Sequence, residues 1–277
     1  MRVYFRSVQR IGDVPAATVG GRVFVANHHN ALVDPILIVT DAACAISPVA
    51  KSTLWKIPGF RWLLNIAGAV PIVRRQDAPD KAADSNDDAF AKIAQHLAGG
   101  GNILIFPEGI SHADPTLAPL RSGAARMLLA ARALDPAAVL SFQAVALEFD
   151  ERDIFRSRTA LLWGPPRLLA GLAAEAAPAQ NDATAAATAI TAQMAQDLRG
   201  LIIESASRDD RLLIGRVAQL LNNNTHDDVG DGKANTAQPA TLGDELVPQI
   251  RSPFRVPEGL RYETTMMRGP KIKGDHA

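Results

Sequence analysis

Short apolar runs that stop at polar clusters recur along the first half of the chain. Residues 3 to 10, VYFRSVQR, alternate imperfectly and predict an early strand, and after the Gly20-Gly21 turn Arg22 to Ala26 predict a second. That run stops at Asn27-His28-His29-Asn30. Asp34-Pro35 then opens ILIVTDAACA, which fits a helix with an acid and a proline in its first turn, although its β-branched residues also suit a buried strand. Residues 45 to 51 predict a short strand ending at Lys51, and 55 to 64 a mostly helical segment broken at Pro58-Gly59. Val70 to Val73 predict another strand, which stops at Arg74-Arg75.

A polar stretch from Gln76 to Asp88 precedes an amphipathic helix predicted from about Ala89 to Ala98. Gly99 to Gly101 end it and lead into NILIF, a buried-strand pattern closed by Pro107-Glu108-Gly109. A helix over 121–134 follows, then strands over 139–149 and 159–163. After Pro165-Pro166 the chain becomes alanine-rich, with a break near Pro178 to Asp182 and a long helix toward Ile203. A further helix is expected over 210–221. Residues 222–240 read as an Asn, Asp, Gly and Thr-rich linker, and the remaining tail, with prolines at 248, 253, 257 and 270, carries no second hydrophobic core. The expected division is therefore an α/β domain over 1–221 and an irregular extension over 222–277.

At 277 residues and 29.5 kDa the chain has room for one large domain or two modest ones. Its 47% hydrophobic and 21% charged residues argue for a folded domain, and 29 basic against 29 acidic side chains argue against a nucleic-acid binder. Cys44 is the sole cysteine, so neither an intrachain disulfide nor a four-cysteine zinc cluster is possible. MRVYFRSVQR does not have the pattern of a signal peptide. The apolar stretches from Ile36 to Ala50 and Phe60 to Val73 are interrupted and fall short of the roughly 18 consecutive apolar residues of a membrane span. No span is expected, yet an amphipathic surface can still rest in a membrane interface.

Candidate chemistry sits where the strands stop. A turn holding His29 and a helix start holding Asp34 would let the carboxylate orient a neutral imidazole, whose other nitrogen takes a proton from an alcohol. The plainer reading is a surface or structural histidine. Arg74 and Arg75 can pair with phosphate oxygens or simply cap a solvated strand. Trp55, Ile57, Phe60, Trp62 and Leu63 suit core packing, an acyl-facing wall or a membrane-facing surface. Cys44, in an apolar setting, reads as structural rather than nucleophilic.

The order of His29/Asp34, GAVPIVRR, ILIFPEGISH and LAPLRSGAARM resembles the phospholipid and glycerol acyltransferase family, over roughly residues 5 to 167 and more weakly through 221. The resemblance implies a single α/β domain with a mixed central sheet flanked by helices. It implies transfer of a fatty acyl group from acyl-CoA or acyl carrier protein to glycerol 3-phosphate or dihydroxyacetone phosphate, with no metal and no resident cofactor. His29 would then be the general base and Asp34 its partner, with Lys51, Arg74, Arg75, Glu108, Gly109 and Arg121 around the phosphorylated acceptor. Ile110-Ser111-His112 replaces the commoner Thr-Arg after FPEG, and LSFQAVALEF lacks the proline of the family's fourth segment. Lysophosphatidate acylation, acyl-lipid binding without chemistry and thioester hydrolysis stay open beside the first reading. An amphipathic product implies proximity to membrane lipid, and with no span expected the protein is placed in the cytoplasm or peripherally on the cytosolic face of a membrane.

Overall fold

The computed structural model describes residues 4–15, 19–73, 82–114, 116–152, 154–171, 183–202 and 204. Met1–Glu204 form one compact unit and Ser205–Ala277 a second. The second lies outside the described residues, and with it the helix expected over 210–221 and the extension over 222–277.

Among the described residues the strands are β1 (Ser7–Gly12), β2 (Gly21–Ala26), β3 (Ser47–Lys51), β4 (Val70–Ile72), β5 (Asn102–Ile105), β6 (Leu140–Phe149), β7 (Arg158–Trp163) and the short β8 (Arg167–Leu168). The helices are α1 (Val33–Asp41), α2 (Phe60–Ile66), α3 (Ala82–Ala98), α4 (Gly123–Leu134) and α5 (Ala183–Leu201), with a 3-10 turn at Ser52–Lys56. The strands lie in the order β1-β7-β6-β2-β5-β3-β4, with β8 beside β6. Neighbours pair in parallel except β6 with β7 and β6 with β8, so the sheet is mixed, as expected.

Alternation along β2 divides the core. Val23 and Val25 face one side, where they meet Ile93 and Leu97 of α3, Met127 and Leu128 of α4, and Ile190, Met194 and Leu198 of α5. Phe24 and Ala26 face the other, with Leu37 and Ile38 of α1, Phe5 and Trp163. A period of two on the strand thus buries residues on both faces, which is why β2 reads as a continuous apolar run. Truncating a fully buried leucine such as Leu97 to alanine costs about 2–5 kcal/mol.

Two elements differ from expectation. Helix α3 begins at Ala82 rather than near Ala89. Its first turns, AADSNDD, carry no apolar stripe, and the helix is held by the buried Ala89, Ile93, Ala94 and Leu97 farther along. Strand β8, only two residues long, has too little pattern to be read. Helix α1 forms despite its β-branched residues, because its buried Leu37 and Ile38 pack under the sheet.

The parallel half of the sheet positions the chemistry. β2, β5, β3 and β4 are successive parallel neighbours, so their C-terminal ends open on one edge. Residues 27–30, 106–109 and Lys51 each stand at or just beyond one of those ends. The carboxyl edge of such a sheet is where α/β folds place ligands.

Candidate active site

Asn27 anchors the turn after β2. Its side-chain amide donates to the Leu147 carbonyl at 3.0 Å and its side-chain oxygen accepts from the Leu147 amide at 2.8 Å, so a buried side chain extends the ladder to β6. The next residues wrap around Asp34, whose side chain is fully buried in the first turn of α1. Asp34 Oδ2 accepts from the main-chain amides of His29 at 2.8 Å and Asn30 at 2.7 Å, and lies 2.9 Å from His28 Nδ1. Ala31 completes the turn with φ at +33°, a left-handed conformation that alanine rarely adopts.

This geometry corrects the pairing expected from spacing. The imidazole held by Asp34 is that of His28; His29 offers the carboxylate its main-chain amide. Adjacent residues in a turn project in different directions, and the turn sends the His28 ring toward the cavity. The His29 ring has its Nδ1 3.1 Å from the His112 carbonyl, and its own carbonyl accepts from Arg152 at 3.1 Å. Because a carboxylate only accepts, the His28 proton belongs on Nδ1, leaving Nε2 with a free lone pair. The ring stacks on Phe106, centroids 4.1 Å apart and planes 21° from parallel, which restricts its rotation.

Glu108 stands behind this turn. Oε1 accepts from the His28 amide at 3.0 Å, and Oε2 accepts from the Ala118 amide at 2.9 Å and lies 2.5 Å from His112 Nε2. The His112 amide in turn donates to the His28 carbonyl at 3.1 Å. The side chain is buried and does not line the cavity. Glu108 therefore fastens the FPEG loop to the histidine turn, which corrects its expected place against the acceptor. Ser111 adds a further tie, its hydroxyl accepting from the Ala31 amide at 3.2 Å.

Gly109 and Arg121 do come together at the cavity. The Phe106 carbonyl accepts from the Gly109 amide at 3.1 Å, with φ of Gly109 at +75°, and a β-carbon there would stand 2.9 Å from Arg121 Nε. Glycine thus serves both the left-handed turn and the close approach of the guanidinium. Lys51 lines the same cavity from the end of β3. Arg74 and Arg75 lie outside the described residues. The cavity encloses about 1440 Å³, walled by polar groups near His28, Ser111 and Arg121 and by apolar ones such as Leu54, Leu64, Ile72 and Phe90.

Asn27, His28, His112 and Arg152 are the residues that sequence reasoning passed over or left undecided. The doubled histidine was the only signal for the first histidine, and nothing local ties Arg152 to a turn more than a hundred positions away. Cys44 is a poor nucleophile: burial pushes its thiol up from the ordinary range, only partly opposed by the Arg22 charge. Among the described residues, no group of three or more His, Cys, Asp or Glu side chains could hold a metal ion.

Comparison with known proteins meets the same segments. The Acyltransferase family profile matches residues 7–141, which contain the His28–Asp34 turn, the Glu108 loop and Arg121. Over 86 residues the chain is 38% identical to glycerol-3-phosphate O-acyltransferase 2 of Saccharomyces cerevisiae, a match covering 31% of this chain and 12% of that protein. Over 121 residues it is 24% identical to a chloroplastic 1-acyl-sn-glycerol-3-phosphate acyltransferase of Brassica napus, covering 44% of this chain and 33% of that one. Among solved structures, the 1-acyl-sn-glycerophosphate acyltransferase of Thermotoga maritima matches 72% of this chain and 73% of its own at 14% identity, with a TM-score of 0.48. Residues 7–141, just under half of the chain, thus carry the Acyltransferase family pattern. The chain spans a third or less of the length of the two curated relatives.

Proposed function

We propose that the chain transfers a fatty acyl group from a thioester, acyl-CoA or acyl carrier protein, to a hydroxyl of glycerol 3-phosphate or dihydroxyacetone phosphate. The observation that carries this reading is the His28–Asp34 pair, held at 2.9 Å at the edge of a cavity lined by both polar and apolar residues. His28 Nε2 takes the proton as the acceptor oxygen attacks the thioester carbonyl carbon. The tetrahedral intermediate then expels the thiolate, the carbon–sulfur bond breaks, and the imidazolium returns its proton to sulfur. The enzyme needs no nucleophile of its own.

Arg121 and Lys51, which line the cavity, serve the acceptor phosphate together with Arg74 and Arg75, since several cations offset its charge. The yeast relative's name favours glycerol 3-phosphate as acceptor. The Brassica relative's name supports a second reading, in which the acceptor already carries one acyl chain. Product-resolved mass spectrometry with an acyl-CoA panel and glycerol 3-phosphate, dihydroxyacetone phosphate and lysophosphatidate separates these acceptors. Free fatty acid as the sole product would replace acyl transfer with hydrolysis. His28→Ala is expected to lower turnover about 100- to 10,000-fold with the fold intact. Wild-type turnover in His28→Ala would remove the general-base assignment.

A further inference from the structure

Helix α2 has two unlike sides. Leu64 is buried and faces the cavity, whereas Trp62, Leu63 and Ile66 are 71%, 44% and 65% exposed. Ile66 lies four positions from Trp62 and three from Leu63, so it joins both exposed side chains in one outward apolar patch. Ile57, 43% exposed, extends it by a turn, its carbonyl accepting from the Phe60 amide at 3.2 Å. Isolated apolar residues on a surface are ordinary; a tryptophan, a leucine and two isoleucines gathered on the outer wall of a cavity are not.

Charge identifies the occupant. The whole chain is balanced at 29 cations and 29 anions, yet residues 42–76 hold five cations, Lys51, Lys56, Arg61, Arg74 and Arg75, and no Asp or Glu. Lys56 and Arg61, both exposed, stand beside Ile57 and Trp62. An apolar face with tryptophan, bordered by cations and free of acids, suits the headgroup boundary of an anionic bilayer. No helix among the described residues is long and apolar enough to cross a membrane, so the contact is interfacial.

We propose that the outward face of α2 and the turn before it seat this protein on an anionic lipid bilayer, with Ile57, Trp62, Leu63 and Ile66 entering the interface and Lys56 and Arg61 meeting the headgroups. Because Leu64 lines the cavity from the same helix, the patch places the cavity wall against lipid. Binding to vesicles is read without turnover, so the proposal stands or falls apart from the acyl-transfer reading.

The test is flotation of the full chain with vesicles of equal phosphatidylcholine and phosphatidylglycerol, and with phosphatidylcholine alone. The wild-type chain is expected to float with the mixed vesicles and more weakly with the neutral ones. Trp62→Ser combined with Ile66→Ser should lower partitioning at least about tenfold. Lys56→Gln and Arg61→Gln should each lower it about fivefold, on the mixed vesicles only. Thermal unfolding and turnover on water-soluble short-chain substrates should stay near wild type in these variants. Three results overturn the proposal: no flotation of the wild-type chain, equal flotation of the Trp62/Ile66 variant, or a wild-type dimer in solution that the same variant splits.

Discussion

Helix α1 carries a buried carboxylate at each end, and the two do different work. Asp34, in the first turn, sits where the helix dipole favours an anion, and spends one oxygen on two amides and the His28 ring. Asp41, in the last turn, sits where the dipole opposes it. It is compensated by the Arg10 guanidinium from β1 and by the Trp163 indole, which donates to Oδ2 at 3.2 Å. The Asp34 end opens on the cavity through the imidazole, whereas the Asp41 end closes on β1 and β7. Burial of a carboxylate therefore does not mark a site. What marks it is a partner whose remaining polar atom faces open space.

The largest expected effect separates the two ends. Asp34→Asn should lower turnover about 1,000-fold or more, because an amide can present its N–H to Nδ1 and favour the wrong tautomer. Asp41→Asn should leave turnover per folded molecule near wild type while lowering stability by about 1–3 kcal/mol, read from denaturant midpoints, as Arg10 and Trp163 lose a charged acceptor. Equal loss of turnover in both variants would erase the distinction between the ends.

A smaller effect tests how the Asp34 end is held. His112→Ala removes the partner at 2.5 Å from Glu108, and is expected to lower kcat about 10- to 100-fold through a displaced histidine turn. His112→Gln, which can still donate to Glu108, should recover part of that loss. A purely structural His112 would instead show itself in unfolding midpoints, with kcat of the folded enzyme unchanged.

The smallest effect lies just past the Asp41 end. Since burial raises the Cys44 thiol, less thiolate is present at any given pH, and alkylation by iodoacetamide should be slower than for free cysteine at pH 8. Its rate should keep climbing with pH beyond the ordinary thiol range. Cys44→Ala should leave turnover unchanged; a loss would return this end of the helix to the chemistry.

Much of the architecture could be read from local pattern. Apolar runs of strand length, closed by Asn27-His28-His29-Asn30, Arg74-Arg75 or Pro107-Glu108-Gly109, mark strands whose ends bear chemistry, because a buried run must stop where polar side chains need partners. The start of α3 was not legible, since AADSNDD has no apolar period, and Arg152 was not, since its bond to the His29 carbonyl crosses from the loop after β6.

The amino-acid order by itself determined an α/β chain, the strand ends that carry polar groups and the match of residues 7–141 to the Acyltransferase family pattern. Only the tertiary structure decided that Asp34 holds His28 and that Glu108 faces the loop rather than the cavity. It also decided that Trp62 looks outward while Leu64 looks inward. The physical reason is the same in each case. Sequence spacing sets which residues are near along the chain, but the side to which a side chain points depends on backbone dihedrals in a turn, or on what packs against a helix, and both come from distant segments.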